Sequence, residues 1–229
     1  LGEAVFPAQI EDICTAVRYL RCHAEELHID PERIGMMGSS AGGHLTLLAA
    51  NNSGEFDTEK YAGVSSRIKC AVDMYGIADI EALYRFNIHA AKPEERGLRT
   101  FPECELLGDL PENVPEKARK AAGIRGINAH TCPVLVLHGD DDHVVNIEQS
   151  EMYYAAMTKA GKDIRYAVLQ GADHGTDEFF QEETRKIILE YLQENYGLQI
   201  NTEDFVVTYQ AFAENLPPEV RVIYRAEKA

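Results

Sequence analysis

The pentapeptide Gly38-Ser39-Ser40-Ala41-Gly42 places one glycine two residues before Ser40 and another two residues after it. This G-x-S-x-G spacing is typical of a strained turn that presents the central hydroxyl, here that of Ser40, as a nucleophile. Such a turn brings the two glycine positions together, so the spacing predicts that side chains at Gly38 and Gly42 would clash. The alternative is a glycine-rich turn in which the serine only caps a helix, and Ser39 lies off the centre of the motif.

Two later loops contain groups that could activate a serine. Residues 138–143, HGDDDH, hold three adjacent carboxylates, any one of which could orient an imidazole and stabilise its charged form. His174 stands among small residues in the stretch QGADHG, which would let its ring reach a neighbouring loop. The alternatives are a solvated turn or helix cap for each aspartate and a surface position for the histidine. Residue types alone do not choose among Asp140, Asp141 and Asp142.

Each candidate group directly follows a short apolar run, which is the pattern of a buried strand. These runs occupy residues 34–37, 133–137 and 163–169, and a further run covers 68–75. Helical patterns at 7–27, 41–50, 148–160 and 176–196 alternate with them. Alternation of this kind predicts a parallel sheet with helices on both faces, in which ligands bind outside the carboxyl ends of the strands. The serine, an aspartate and the histidine should therefore meet at one edge of the sheet.

Composition and charge restrict the classes of partner. The 229 residues are 45% hydrophobic, which is enough for a sizeable core, and no apolar stretch reaches the length of a bilayer crossing. The net charge of −16 argues against nucleic acid and anionic membrane surfaces as partners. The five cysteines form no C-x-x-C pair, which disfavours a disulfide framework or a zinc site. We therefore expect reduced thiols and a cytoplasmic location.

The three motifs together resemble those of the α/β-hydrolase esterase/lipase family. The similarity rests on DPERIGMMGSSAGGH at 30–44, PVLVLHGDDDHVVNIEQS at 133–150 and LQGADHG at 169–175. Within the family, the sequence looks most like the small acetylxylan- and feruloyl-esterase-like carbohydrate esterases. The resemblance covers about residues 1–197 and implies a three-layer α/β-hydrolase fold, with an inserted or capping region at about 76–131.

The resemblance also implies roles for individual residues. Ser40 matches the nucleophile, His174 the general base, and Asp142 the acid. Ala41 matches the residue whose backbone N–H contributes to the oxyanion hole, and His44 matches a histidine that packs within the helix. An enzyme of this kind needs no metal or organic cofactor. It would form an acyl-enzyme from a small-molecule ester, such as one that carries acetyl or feruloyl groups on carbohydrate.

The sequence departs from the family in one segment. The family's His-Gly-Gly-x segment, which supplies a second oxyanion donor, has no counterpart here. Leu1 aligns just after an early strand, so we expect the early strands to be missing and the esterase activity of the isolated chain to be weak. The strand at 34–37 would then have an open edge. Two alternating segments of the C-terminal extension 198–229, at 205–209 and 220–225, could cover this edge, as could a second copy of the chain in a homo-oligomer.

Two other functions stay open beside the esterase. A peptidase of the prolyl oligopeptidase type has similar acid and histidine loops, but it usually carries bulky aromatic residues around the serine. Ser39 and Ala41 are small, which favours an esterase. A catalytically impaired hydrolase-fold fragment is the third hypothesis, because the His-Gly-Gly segment is lacking.

Overall fold

A five-stranded sheet forms the centre of the protein in the computed structural model, which describes residues 4–90, 101–197 and 224–228. The first four strands are parallel and follow one another across the sheet, and the last is antiparallel to the fourth. The strands are β1 Met36–Ser39, β2 Ala71–Met74, β3 Val134–Gly139, β4 Ile164–Leu169 and β5 Tyr224–Lys228. The four predicted strands are thus present, although β1 begins two residues later than the apolar run at 34–37 and ends directly before Ser40.

Helices precede, connect and follow the parallel strands. Within the described residues they are α1 Ala8–Cys22, α2 Ala41–Asn51, α3 Ile80–Ala90, α4 Pro102–Leu107, α5 Pro115–Lys120, α6 Glu148–Lys159 and α7 Glu182–Tyr196. The helix predicted at 176–196 is interrupted: a short 3₁₀ helix, Asp177–Phe180, precedes α7. Gln181 between them has extended backbone angles, and the Thr184 hydroxyl donates a hydrogen bond to the Glu178 carbonyl across this break at 2.7 Å.

The sheet separates two apolar cores, because successive side chains of a strand point to opposite faces. On one face, strand residues pack with α1, α2 and α6; on the other, strand residues pack with α7 and the 3₁₀ helix before it. The first core contains Ala71, Val134, Val136 and Ile164, and the second contains Val72, Met74, Leu135, Leu137 and Leu169. This arrangement gives the three layers that the sequence predicts.

The segment predicted as an insertion, 76–131, contains α3, α4 and α5 and is anchored on α2. The buried His44 ring donates a hydrogen bond through Nε2 to the Ala121 carbonyl at 2.6 Å, and the Asn51 amide donates to the Gly123 carbonyl at 2.9 Å. The division of the chain into a domain at 1–197, this insertion and an extension at 198–229 stays a prediction.

One of the expected positions for the C-terminal segments is wrong: residues 224–225 of the predicted 220–225 strand do not lie beside β1, and residues 220–223 lie outside the described part of the chain. β5 pairs with β4, at the opposite edge of the sheet from β1. β4 offers an edge of six residues, whereas β1 has only four, so a ladder on β4 forms more hydrogen bonds. In the part of the chain that the structure describes, no strand pairs with the outer edge of β1; residues 205–209 lie outside that part.

None of the helices in the described ranges combines the length and the hydropathy that a membrane crossing requires.

Candidate active site

Ser40 occupies a strained turn between β1 and α2. Its backbone angles are φ 52° and ψ −120°, a conformation that residues with a side chain rarely adopt. The turn is held on both sides: the Ser40 N–H donates to the Met74 carbonyl at 2.9 Å, and the Ser40 carbonyl accepts from the His44 N–H at 3.0 Å. This is the geometry predicted for a nucleophile elbow.

The two glycines of the elbow differ in their surroundings. A Cβ atom at Gly38 would lie 2.3 Å from the carbonyl oxygen of Gly42, so a side chain cannot be accommodated there. A Cβ atom at Gly42 would have no atom within 4 Å. The predicted clash of a side chain therefore occurs at Gly38. The prediction of a clash at Gly42 is wrong. The close approach is one-sided, because Gly38 faces the backbone of Gly42 while the Cβ direction of Gly42 points to open space.

His174 connects the serine to one of the three aspartates. Its Nε2 lies 2.9 Å from Ser40 Oγ, and its Nδ1 lies 2.8 Å from Asp142 Oδ2. The hydrogen-bond network assigns the proton to Nδ1, which donates to the carboxylate, and leaves Nε2 to accept from the hydroxyl. The Asp142 side chain is fully buried and that of His174 is 17% exposed. Ser40 is partly exposed, so solvent reaches the serine end of this series of hydrogen bonds.

Asp142 is held as a carboxylate by hydrogen bonds from several directions. Its Oδ1 accepts from the N–H groups of Val144 and Val145 at 2.9 and 2.8 Å, and its Oδ2 lies 3.3 Å from Nε2 of the buried His138. Burial by itself would raise the pKa of Asp142, but the hydrogen bonds from His138, His174 and the two backbone groups lower the pKa well below its ordinary value.

The other two aspartates of the run have separate positions. Asp140 Oδ1 accepts a hydrogen bond from the Gly171 N–H at 2.6 Å, which ties the loop after β3 to the loop after β4. Asp141 is exposed, and its Oδ1 lies 3.7 Å from His143 Nε2. Only Asp142 meets the His174 ring, so the structure distinguishes the three aspartates that residue types leave equivalent.

Asp173 was not singled out by the sequence, although it lies next to His174. Its Oδ1 accepts hydrogen bonds from the N–H groups of His143 and His174 at 3.0 and 2.7 Å. The carboxylate therefore joins the loop that carries Asp142 to the loop that carries His174. The sequence contained a signal for Asp173, because the two loops follow neighbouring strands of the predicted sheet and should lie side by side.

Tyr75 was also missed. It follows β2 directly with a φ of 42°, and its buried ring packs edge-on against the His174 ring with centroids 4.7 Å apart. The same ring also packs edge-on against Phe179, with ring centroids 4.4 Å apart. The rule that site residues follow strand ends applies to Tyr75 as well, and it could have identified this residue.

A buried carboxyl group lies beneath the elbow helix. Asp73 on β2 is 1% exposed, and its Oδ1 has no hydrogen-bond partner among the described residues. A Cβ atom at Gly43 would lie 2.3 Å from this oxygen, so the carboxyl group contacts the first turn of α2. Burial raises the pKa of Asp73 to about 8, and the Gly76 N–H partly offsets this. A charged residue type within the apolar run 68–75 was the available signal.

Ala41 begins α2 and is exposed beside Ser40. The first N–H groups of a helix lack acceptors within the helix, and the helix dipole makes this end partly positive. The N–H of Ala41 can therefore stabilise negative charge next to the serine. The assignment of Ala41 to an oxyanion hole stays a prediction. The expectation that the second donor is not in this chain also stays a prediction.

A solved structure with this architecture is described as a truncated form of carbohydrate esterase from gut microbiota. It superimposes with a TM-score of 0.75 at 27% sequence identity, over 86% of this chain and 71% of that chain. The likeness confirms the predicted α/β-hydrolase fold.

Similarity to known sequences covers most of the chain. Esterase LipC of Mycobacterium tuberculosis is 29% identical over 175 residues, which are 75% of this chain and 42% of LipC. The uncharacterized peptidase YuxL of Bacillus subtilis is 27% identical over 147 residues, which are 64% of this chain and 19% of YuxL. The chain thus spans about two fifths of the length of LipC, and less of YuxL. The family model BD-FAE matches residues 1–157, more than half of the chain, and the chain therefore belongs to the BD-FAE family.

Proposed function

We propose that this chain carries the catalytic serine, histidine and aspartate of a carboxylic-ester hydrolase that works through an acyl-enzyme. The observation that carries the proposal is the continuous hydrogen-bonded series from Ser40 Oγ through the His174 ring to Asp142, at the carboxyl ends of three parallel strands. The similarity to LipC and to a carbohydrate esterase supports an ester as the substrate.

Each group has a defined part in the proposed reaction. Ser40 Oγ attacks the ester carbonyl carbon while its proton moves to His174 Nε2, and the N–H of Ala41 stabilises the resulting oxyanion. His174 then gives this proton to the departing alcohol oxygen as the carbon–oxygen bond breaks, which leaves the acyl group on Ser40. A water molecule repeats the sequence, releases the acid and restores the serine.

The electrostatics around Asp142 fit this sequence of proton transfers. The hydrogen bonds that lower the pKa of Asp142 keep it ionised while His174 is positively charged, so the carboxylate stabilises the imidazolium without taking its proton. Neither a metal nor an organic cofactor is needed for these steps. Acetyl or feruloyl groups on carbohydrate are the proposed acyl groups.

A serine peptidase is the second candidate, because the chain is also similar to YuxL. Ser39 and Ala41 flank the nucleophile with small side chains, which supports the esterase. Turnover of p-nitrophenyl acetate and of glycyl-prolyl p-nitroanilide, measured side by side, separates the two. A clear preference for the anilide would replace the esterase proposal.

The central experiment is a Ser40→Ala variant assayed on p-nitrophenyl acetate. Loss of the nucleophile should lower kcat by about 10⁴-fold or more, as in other serine hydrolases. Ser39→Ala is the matched control, since Ser39 is adjacent in sequence, whereas the described hydrogen bonds of the His174 ring go to Ser40 and Asp142; its kcat should stay near that of the wild type. Hydrolysis that persists unchanged in Ser40→Ala would overturn the proposal.

Two broader properties are also proposals. The outer edge of β1, with which none of the described strands pairs, supports association of two copies of the chain, which sedimentation velocity over a range of concentrations would test. A single monomeric species at all concentrations would contradict it. No disulfide joins any of the five cysteines, all of which lie in the described residues, and four of them are buried, which supports a reducing compartment such as the cytoplasm.

A further inference from the structure

The buried carboxyl group of Asp73 lies where the first turn of α2 meets the turn that follows β2. A Cβ atom at Gly43 would lie 2.3 Å from Asp73 Oδ1 and 2.7 Å from the Cα atom of Gly76. A Cβ atom at Gly76 would in turn lie 2.2 Å from the same oxygen. Both positions therefore require glycine, and the carboxyl group fills the space between two closely packed backbone segments.

This junction connects the serine side of the candidate active site to the histidine side. The Ser40 N–H donates a hydrogen bond to the carbonyl of Met74, the residue after Asp73, at 2.9 Å. Tyr75 follows, and its ring packs against the His174 ring with centroids 4.7 Å apart. A displacement at Asp73 would therefore move the groups that hold both the serine and the histidine.

The surroundings of Asp73 do not compensate a negative charge. Its Oδ1 has no hydrogen-bond partner among the described residues. Three buried titratable groups on the elements packed around it are each hydrogen-bonded elsewhere: His44 to the Ala121 carbonyl, His138 to Ser150 and the Val145 carbonyl, and Tyr153 to Asn51. The nearest loops add negative charge, at Asp79 and Asp142. A buried carboxylate without a cation is costly, so these surroundings favour the uncharged acid.

We propose that Asp73 is a positioning residue that works as an uncharged acid, whose protonated carboxyl group holds α2 and the turn after β2 in the geometry that Ser40 needs. The proposal rests on the proposed esterase function. Ionisation at alkaline pH would place a buried negative charge beside the first turn of α2, where it opposes an oxyanion at the Ala41 N–H. Loss of this proton should therefore lower kcat.

The first test is the pH profile of kcat on p-nitrophenyl acetate, corrected for spontaneous hydrolysis. Burial raises the pKa of Asp73 to about 8, so the wild type should lose activity around that pH. We expect a decline of about tenfold, the effect of two like charges about 8 Å apart within a protein. Asp73→Asn has the shape of the protonated group and does not ionise, so its kcat should match the wild type at about pH 7 and stay level at higher pH.

Asp79→Asn is the matched control for this profile. The Asp79 Oδ1 accepts from two N–H groups at the start of α3, and an asparagine keeps this oxygen. The control should therefore show the alkaline decline of the wild type. A flat wild-type profile, or an equal decline in Asp73→Asn, would overturn the proposal.

The size of the side chain at position 73 tests the packing role. Asp73→Ala leaves the junction unfilled, so kcat at about pH 7 should fall about 10- to 100-fold while KM changes little. Asp73→Asn should keep its activity at that pH and should fold, because a neutral group of the same shape replaces the acid. An asparagine variant that is unfolded, or as inactive as Asp73→Ala, would show that the carboxylate is the working form and would reject the proposal.

Urea unfolding separates the uncharged acid from the esterase function, because it needs no turnover. The ordinary pKa is 3.8 and the folded state raises it, so the stability that Asp73 contributes is complete below about pH 4 and is lost as the pH rises through about 8. The free energy of unfolding of the wild type relative to Asp73→Asn should therefore fall over this range and level off above it. A constant difference would reject the proposal even if p-nitrophenyl acetate is hydrolysed. The expected fall without Ser40-dependent turnover of any ester would reject the esterase and retain the uncharged acid.

Discussion

At the scale of a single residue, Asp142 is a buried carboxylate that is hydrogen-bonded to the His174 ring. In the proposed reaction, this hydrogen bond to Nδ1 fixes the tautomer in which Nε2 accepts the serine proton. Asp142→Asn would present an amide that favours the wrong tautomer, so we expect kcat on p-nitrophenyl acetate to fall about 10⁴-fold with the fold intact. Asp141→Asn is the control and should keep its activity. Equal losses in both variants would mean that the aspartates act only through the local charge.

The pKa of Asp142 also links its ionisation to stability. The ordinary value is 3.8, and the folded state lowers it. A group with a lowered folded-state pKa contributes stability that is present above its unfolded pKa and is lost as the pH falls through its folded pKa. The wild type should therefore exceed Asp142→Asn in free energy of unfolding most at about pH 7, and the difference should shrink below about pH 4. Urea unfolding of both proteins at several pH values measures it, and a constant difference would contradict the linkage.

At the scale of elements, the β1–α2 turn places unequal demands on its two glycines. Gly38→Ala would push a methyl group into the Gly42 carbonyl, and we expect a loss of about 1–3 kcal/mol in the free energy of unfolding. Gly42→Ala adds a methyl group in open space within a helix, where alanine is favoured over glycine by about 1 kcal/mol, so stability should hold or rise. Urea unfolding compares the pair, and similar losses would show that the turn tolerates neither.

The two loops that carry Asp142 and His174 form a further element, joined by Asp173. Asp173→Ala removes the acceptor for two backbone N–H groups, so the loops should separate slightly and kcat should fall, by less than the about hundredfold that a 1 Å displacement can cost. Asp141→Ala, which changes an exposed carboxylate in the same region, should leave kcat unaltered. The KM for p-nitrophenyl acetate should change little in either variant. A drop in thermal stability with an unchanged kcat would show that Asp173 only stabilises the loops.

At the scale of the whole molecule, the sheet is closed on one side by its own C-terminal strand. β5 pairs with the outer edge of β4 in an antiparallel ladder that extends from Arg165 to Leu169, so backbone groups along this edge have hydrogen-bond partners. A chain that ends at Gly197 should expose this edge, so the backbone amides of β4 should exchange with solvent faster, and the protein should aggregate more readily. Hydrogen exchange with mass spectrometry compares the two chains. Unchanged protection of β4 would contradict the pairing.

Much of this architecture could be predicted from local patterns. Short apolar runs alternate with helical spacing, and this alternation is enough to predict a parallel sheet and the edge at which its ligand site lies. Ser40 and His174 stood out because each follows a strand. The choice of Asp142 over Asp140 and Asp141 depended on the family resemblance, because three adjacent carboxylates are chemically alike.

Contacts between distant segments decided the rest. The pairing of β5 with β4 depends on which sheet edge offers the longer ladder, and the freedom at Gly42 depends on where a Cβ atom would point. The hydrogen bond from the His143 N–H to Asp173 depends on the loops after β3 and β4 lying side by side. The cavity beside Ala41 is lined by Gln9 of α1 and Glu103 of α4, two helices that are distant in sequence. The sequence by itself determined the periodic elements and the groups that follow them, because those depend on neighbouring residues. Only the tertiary structure decided which oxygens lack donors and which edges lack partners, because hydrogen-bond satisfaction is a property of packed segments rather than of local sequence.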